Sequence, residues 1–97
     1  MMQNLGKEAT GIEKREYLAE IDEELLCADG FDDAIIGICQ RATSSNVVAY
    51  DTDRCIEILV ERSGMTEEEA VEYFEFNVVG AWMGERTPVF ISNALPL

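Results

Sequence analysis

The sequence predicts an α+β domain, with a short antiparallel β-hairpin, a third strand available at its edge, and three helices packed against it. Three observations lead there. Helix-start signatures, a threonine followed three positions later by a glutamate, occur at Thr10–Glu13 and Thr66–Glu69. Two short β-branched runs, Ala34–Cys39 and Val47–Tyr50, flank the polar, turn-rich stretch Gln40–Asn46, which is the pattern of a hairpin. Apolar residues recur at spacings of three to four residues within Tyr17–Leu25, Cys55–Val60 and Val71–Trp82, which is helical periodicity.

Each element has a local justification. Thr10 is the expected N-cap of a first helix over about 11–26, with Tyr17, Leu18, Ile21 and Leu25 on its apolar face and Glu16, Glu20, Glu23 and Glu24 turned away. Asp29-Gly30 is a turn signal that closes this region. In the first strand, Gly37 marks a bulge or a close backbone approach. An isolated hairpin is barely stable, so helices must cover one of its faces. Asp51 or Thr52 can cap a second helix over about 52–63, with the stripe Cys55, Ile56, Leu59 and Val60, and Gly64 suits the position after its end. Thr66 caps a third helix over about 67–82. Glu67, Glu68 and Glu69 sit in its first turn, where the helix dipole favours negative charge. The stripe Val71, Phe74, Val78 and Trp82 predicts that this helix runs unbroken through Asn77 and stops before Gly84. Pro88 bars helix beyond that point, and Val89-Phe90-Ile91 can add the edge strand. Residues 1–97 are expected to be a single domain, with 1–9 and 93–97 flexible.

Charge is the strongest compositional fact. Twenty acids face seven bases, a formal net charge of -13, while the hydrophobic fraction of 47% is ordinary for a globular chain. Direct nucleic-acid binding is not expected on this balance, because such affinity rests largely on Lys and Arg neutralising phosphates. Adhesion to anionic membranes is disfavoured for the same reason. The acidity serves either solubility or recognition of a cationic surface. The three cysteines, Cys27, Cys39 and Cys55, include no Cys-x-x-Cys pair, so neither a disulfide framework nor a zinc site is expected. Free thiols fit a reducing cytosol. Met1–Gly11 lacks the basic-then-apolar pattern of a signal peptide, and no apolar run is long enough to span a membrane.

Catalytic chemistry is thinly represented. The chain has no histidine, which removes Ser-His-Asp and Cys-His catalysis and all His-based metal sites. No glycine-rich phosphate loop is present, and no cofactor is expected. Asp51-Thr52-Asp53 resembles the opening of a calcium loop but lacks its later ligands, and reads better as a helix cap. The carboxylate pairs Glu68/Glu72 and Glu57/Glu61 fall on helix faces expected to be solvated. Cys55 and Trp82 read as core residues. Asn77 interrupts the third apolar stripe, either exposed or bonded across to the hairpin or to the Gly84–Pro88 loop.

The second half carries a resemblance. The strings Val48-Ala49-Tyr50-Asp51, Cys55-Ile56-Glu57-Ile58-Leu59, Gly64-Met65-Thr66-Glu67-Glu68-Glu69-Ala70, Glu72-Tyr73-Phe74-Glu75-Phe76-Asn77 and Gly84-Glu85-Arg86-Thr87-Pro88-Val89-Phe90 follow one another at characteristic distances. Together they resemble a widespread group of small proteins found in bacteriophages and prophage-bearing bacterial genomes. Asp33-Ala34-Ile35-Ile36-Gly37 resembles that group's opening strand, so the likeness covers about residues 31–91. The resemblance implies a phage or prophage accessory protein in a bacterial cytoplasm. It carries no common activity and therefore no catalytic residue.

Two functional classes follow. The first is a stoichiometric binder of a host or phage protein with a basic surface, whose acids stand in for a nucleic acid. Its candidate contact residues are Glu16, Glu20, Glu23, Glu24, Asp32, Asp33, Glu67, Glu68, Glu72 and Glu75, and self-association is compatible with it. The second is a small enzyme or ligand-binding domain with a polar site around Tyr50, Asp51, Asn77 and Arg86.

Overall fold

A computed structural model describes residues 10–42 and 45–92, so the ends expected to be flexible lie outside the described residues. In chain order the elements are helix α1 (Gly11–Ile21), a 3-10 turn (Asp32–Ala34), strands β1 (Ile35–Cys39) and β2 (Val47–Asp51), helices α2 (Thr52–Ser63) and α3 (Glu67–Phe74), a π-helical turn (Glu75–Val79) and strand β3 (Val89–Ile91). The fold is α+β.

Both threonine caps close as reciprocal boxes. Thr10 Oγ1 accepts from Glu13 N at 3.2 Å while Thr10 N donates to Glu13 Oε1 at 2.9 Å, and Thr66 and Glu69 repeat the arrangement at the same distances. Asp51 is the cap of α2, its Oδ1 accepting from Asp53 N at 3.0 Å, and Gly64 ends that helix at φ 70. The start of α1 is pressed against the 3-10 turn. A Cβ on Gly11 would lie 2.8 Å from Asp32 Cβ, so only glycine permits this approach.

Two helix ends depart from the periodicity. The first helix was expected to reach about residue 26 and stops at Ile21, because Asp22 turns extended (φ -159) and its Oδ1 accepts from Glu24 N at 3.0 Å. That short-range bond competes with further helix, and α1 has no basic residue in its last turn to offset the dipole. The third helix continues through Asn77 and Val78 as expected, but its last turn widens. Gly80 N donates to Glu75 O at 3.2 Å, and helical structure ends at Val79. Trp82, expected in the core, therefore lies beyond the helix and is 77% exposed.

The sheet has the order β1-β2-β3, with β1 antiparallel and β3 parallel to the central β2. The register of β1 slips between Ile35 and Gly37, the bulge that Gly37 signalled, and Ile36 is left outside the pairing and exposed. Val47 to Tyr50 of β2 are all buried. Around them the core gathers Leu18, Phe31, Cys55, Ile58, Leu59 and Phe74. Phe74 meets Phe31 edge-on at 6.4 Å and Phe90 at 5.2 Å, while Tyr50 stacks on Phe90 at 5.4 Å. Ile56 and Val60, placed on the α2 stripe, are only half-buried, and Val71 of α3 is 40% exposed.

Candidate functional site: an acidic helix face and its groove

Every described cation is committed within the molecule. Arg15 reaches Asp29 at 3.0 Å and Asp32 at 3.5 Å. Arg54 lies between Glu57 (3.1 Å) and Glu61 (3.4 Å), and Arg62 pairs with Asp33. Arg86 holds Asp22 at 2.9 Å and Glu24 at 3.2 Å, and donates to Asn46 O at 3.3 Å. Lys14 and Arg41 donate to backbone carbonyls, Lys14 to Ile35 O at 3.0 Å and Arg41 Nε to Ser45 O at 2.8 Å. These bonds shift the groups they touch. Arg62 holds the Asp33 carboxyl below the usual carboxylate range, and the Gly11 N–H adds to the effect. Arg86, with the Glu24 N–H, does the same for Asp22. The carboxylates around Arg54 and Arg15 raise both guanidinium values.

The ten acids proposed as contact residues thus separate into two sets. Glu24, Asp32 and Asp33 are held by arginines. Glu16 and Glu20 on α1, Glu23 just beyond it, Glu67, Glu68 and Glu72 on α3, and Glu75 at its end are exposed and make no ion pair among the described residues. On α3 the reason is geometric. Ala70 and Phe74 turn into the core, and the helical period then sends Glu68, Glu72, Glu75 and Phe76 to the opposite side. Phe76 is 79% exposed beside these acids. Sequence reasoning missed this aromatic, although its flanking residues Glu75 and Asn77 place it outside the apolar stripe.

Three concavities border α3, of which one is lined by Tyr73 and Asn77 together with Cys27, Phe31, Pro88 and Phe90. A second, of about 410 Å³, is lined by Met65, Glu69, Glu72, Tyr73, Phe76 and Asn77. The third, of about 440 Å³, runs between α2 and α3, with Ile56, Val60 and Val71 as apolar lining and Asp53, Glu57, Glu61 and Glu67 as its acids.

The residues of the polar-site alternative have separate engagements. Tyr50 is fully buried, and its hydroxyl accepts from Ala28 N at 2.6 Å. Burial pushes this phenol well above its usual range. Asp51 caps α2. Arg86 is occupied by Asp22 and Glu24. Asn77 is exposed, with Nδ2 donating to Tyr73 O at 3.3 Å, and neither the concavity it lines with Met65 and Phe76 nor the one it lines with Cys27 and Phe31 contains Tyr50, Asp51 or Arg86. The Cys55 thiol is buried and pushed up to about 12, chiefly by burial and secondarily by Asp51, which makes it a poor nucleophile near neutral pH. Among the described residues no three potential ligands cluster as a metal site, and no helix is long and apolar enough to cross a membrane.

Comparison with protein-family profiles, with curated proteins and with solved structures finds no match.

Proposed function

We propose that the protein is a small phage- or prophage-type accessory protein of the bacterial cytoplasm that binds a host or phage protein stoichiometrically. Its acidic face occupies a basic surface there, one suited to a nucleic acid. The observation that supports this reading most is the charge arrangement on α3. Glu67, Glu68, Glu72 and Glu75 carry no internal counter-ion among the described residues, while all described cations are already engaged. A groove built for phosphates attracts such carboxylates, and their field raises the rate of encounter. Phe76 in their midst offers an apolar contact that solubility alone does not call for.

The test is capture of the partner from the bacterial host at low and high salt, followed by association kinetics with the purified partner. The variant E68Q/E72Q/E75Q keeps its fold, since exposed like charges add little to stability. Its on-rate falls well below that of the unmodified protein at low salt. The difference fades at physiological ionic strength and above, where charges are screened beyond about 8 Å. Equal on-rates at low salt would leave solubility as the sole role of the acids.

A further inference from the structure

We propose that the groove between α2 and α3 is the docking site for a lysine-rich segment of the partner, with the aliphatic stems of its lysines lying on Ile56, Val60 and Val71 and their ammonium groups meeting the surrounding carboxylates. The inference rests on the reading of the partner as a cationic protein surface, and adds the place and the chemistry of contact.

The groove is an apolar seam that the described residues leave partly uncovered. Ile56 and Val60 sit at core spacing on α2, and Val71 sits at core spacing on α3, yet the first two are half-buried and the third is 40% exposed. The volume between them, about 440 Å³, has room for more than one side chain. Its acids come from both helices, Asp53, Glu57 and Glu61 from α2 and Glu67 from α3. Asp53 and Glu67 have no ion-pair partner among the described residues. Arg54 shows what the α2 carboxylates accept, since its guanidinium already bridges Glu57 and Glu61.

An apolar lining set among carboxylates selects its occupant. A purely apolar segment would bury Asp53 and Glu67 without compensation. A small inorganic cation would leave Ile56, Val60 and Val71 in water. Lysine supplies both parts, a four-carbon stem that covers apolar surface and a compact charge that stays at the wet edge. A second copy of this chain is a poor occupant. Each copy carries a net charge of -13, and the described cations are engaged internally.

The test titrates the protein with oligolysine and with an equally long oligomer of 2,4-diaminobutyric acid, whose stem is two methylenes shorter, at a mildly acidic pH where both are cationic. Methyl and backbone amide resonances are followed by NMR. Expected are shifts of the Ile56, Val60 and Val71 methyls and an affinity about fivefold higher for oligolysine, the value for partial burial of two methylenes. The exposed-site variant V71S narrows that difference, and D53N/E67Q weakens both oligomers. Equal affinity for the two stems, or shifts confined to the Glu68, Glu72 and Glu75 side of α3, would overturn the groove while leaving the cationic-partner reading intact. Absence of binding by either oligomer at low salt would overturn both.

Discussion

Phe74→Ala tests the packing on which α3 depends. The ring is almost fully buried and is gripped edge-on from two sides, by Phe31 at 6.4 Å and Phe90 at 5.2 Å. Truncating such a ring removes its transfer free energy and leaves a cavity, together about 3–5 kcal/mol. A domain of this size holds only about 5–15 kcal/mol in total, so the alanine variant stands near the edge of folding. Phe74→Leu keeps most of the volume and loses the two aromatic edges, each worth about 0.5–1.5 kcal/mol, and therefore stays measurable. The assay is urea denaturation followed by circular dichroism. Trp82, the single tryptophan, is 77% exposed and reports poorly on core unfolding. The expected result is a lower midpoint at unchanged slope, with the loss for Leu well below that for Ala. A loss under about 1 kcal/mol for Phe74→Ala would refute the reasoning, since it would mean the ring anchors nothing.

Three further outcomes follow from the Tyr50 hydroxyl and the thiols. Tyr50→Phe removes the acceptor of the Ala28 N–H, and destabilises by about 1 kcal/mol because Ala28 is only partly buried and water can replace the hydroxyl; urea midpoints measure this. In the native protein near neutral pH, a thiol reagent modifies the half-buried Cys27 and Cys39 well before Cys55, as mass spectrometry of timed samples will show. Cys55 also sets an alkaline limit. Its folded value, about 12, lies above its ordinary 9.0, so its stabilisation is full below pH 9.0 and is lost as pH rises towards 12, with the denaturation midpoint falling over that window. Tyr50, raised in the same sense by burial, acts in the same direction.

What the sequence shows and what it hides divide by range. The two capping boxes, the Asp51 cap and the Gly64 stop are set within a few residues, and all are visible as local patterns; the β1 bulge, though it lies in the pairing with β2, is marked in the sequence by Gly37. The end of α1 is hidden because Asp22 is shared between its own Asx-type turn and Arg86, which arrives from the far end of the chain. The electrostatics of the candidate face are hidden in the same way. Asp33 looks as free as Glu68 in the sequence, but the fold delivers Arg62 to it. Counting acids therefore says how much charge there is, while only the tertiary pairing says which carboxylates are left to act.

The widened turn after α3 links the fold to the proposed surface. A stripe drawn at the α-helical period passes through Phe74, Val78 and Trp82. The structure honours it at Phe74, which is buried, and at Val78, which is half-buried. Then the Gly80 N–H reaches back five residues to Glu75 O, and the stripe loses its register. Gly80 has the room to do this because it lacks a side chain: a Cβ there would lie 3.0 Å from Phe76 O. Gly84, at φ 89, turns the chain again, and Thr87 fastens the loop by accepting from Met83 N at 2.7 Å and donating to Gly84 O at 2.6 Å. The chain then enters β3, and Phe90 comes to rest on Phe74 and Tyr50. One aromatic is thus delivered to the core from the strand, while Trp82 in the helix-to-strand connection stays in solvent. Phe76, on the solvent side of the same turn, remains beside the acids of α3. The backbone feature that breaks the stripe thus accounts for the exposed Trp82, whereas Phe76 is already turned to solvent by the ordinary helical period.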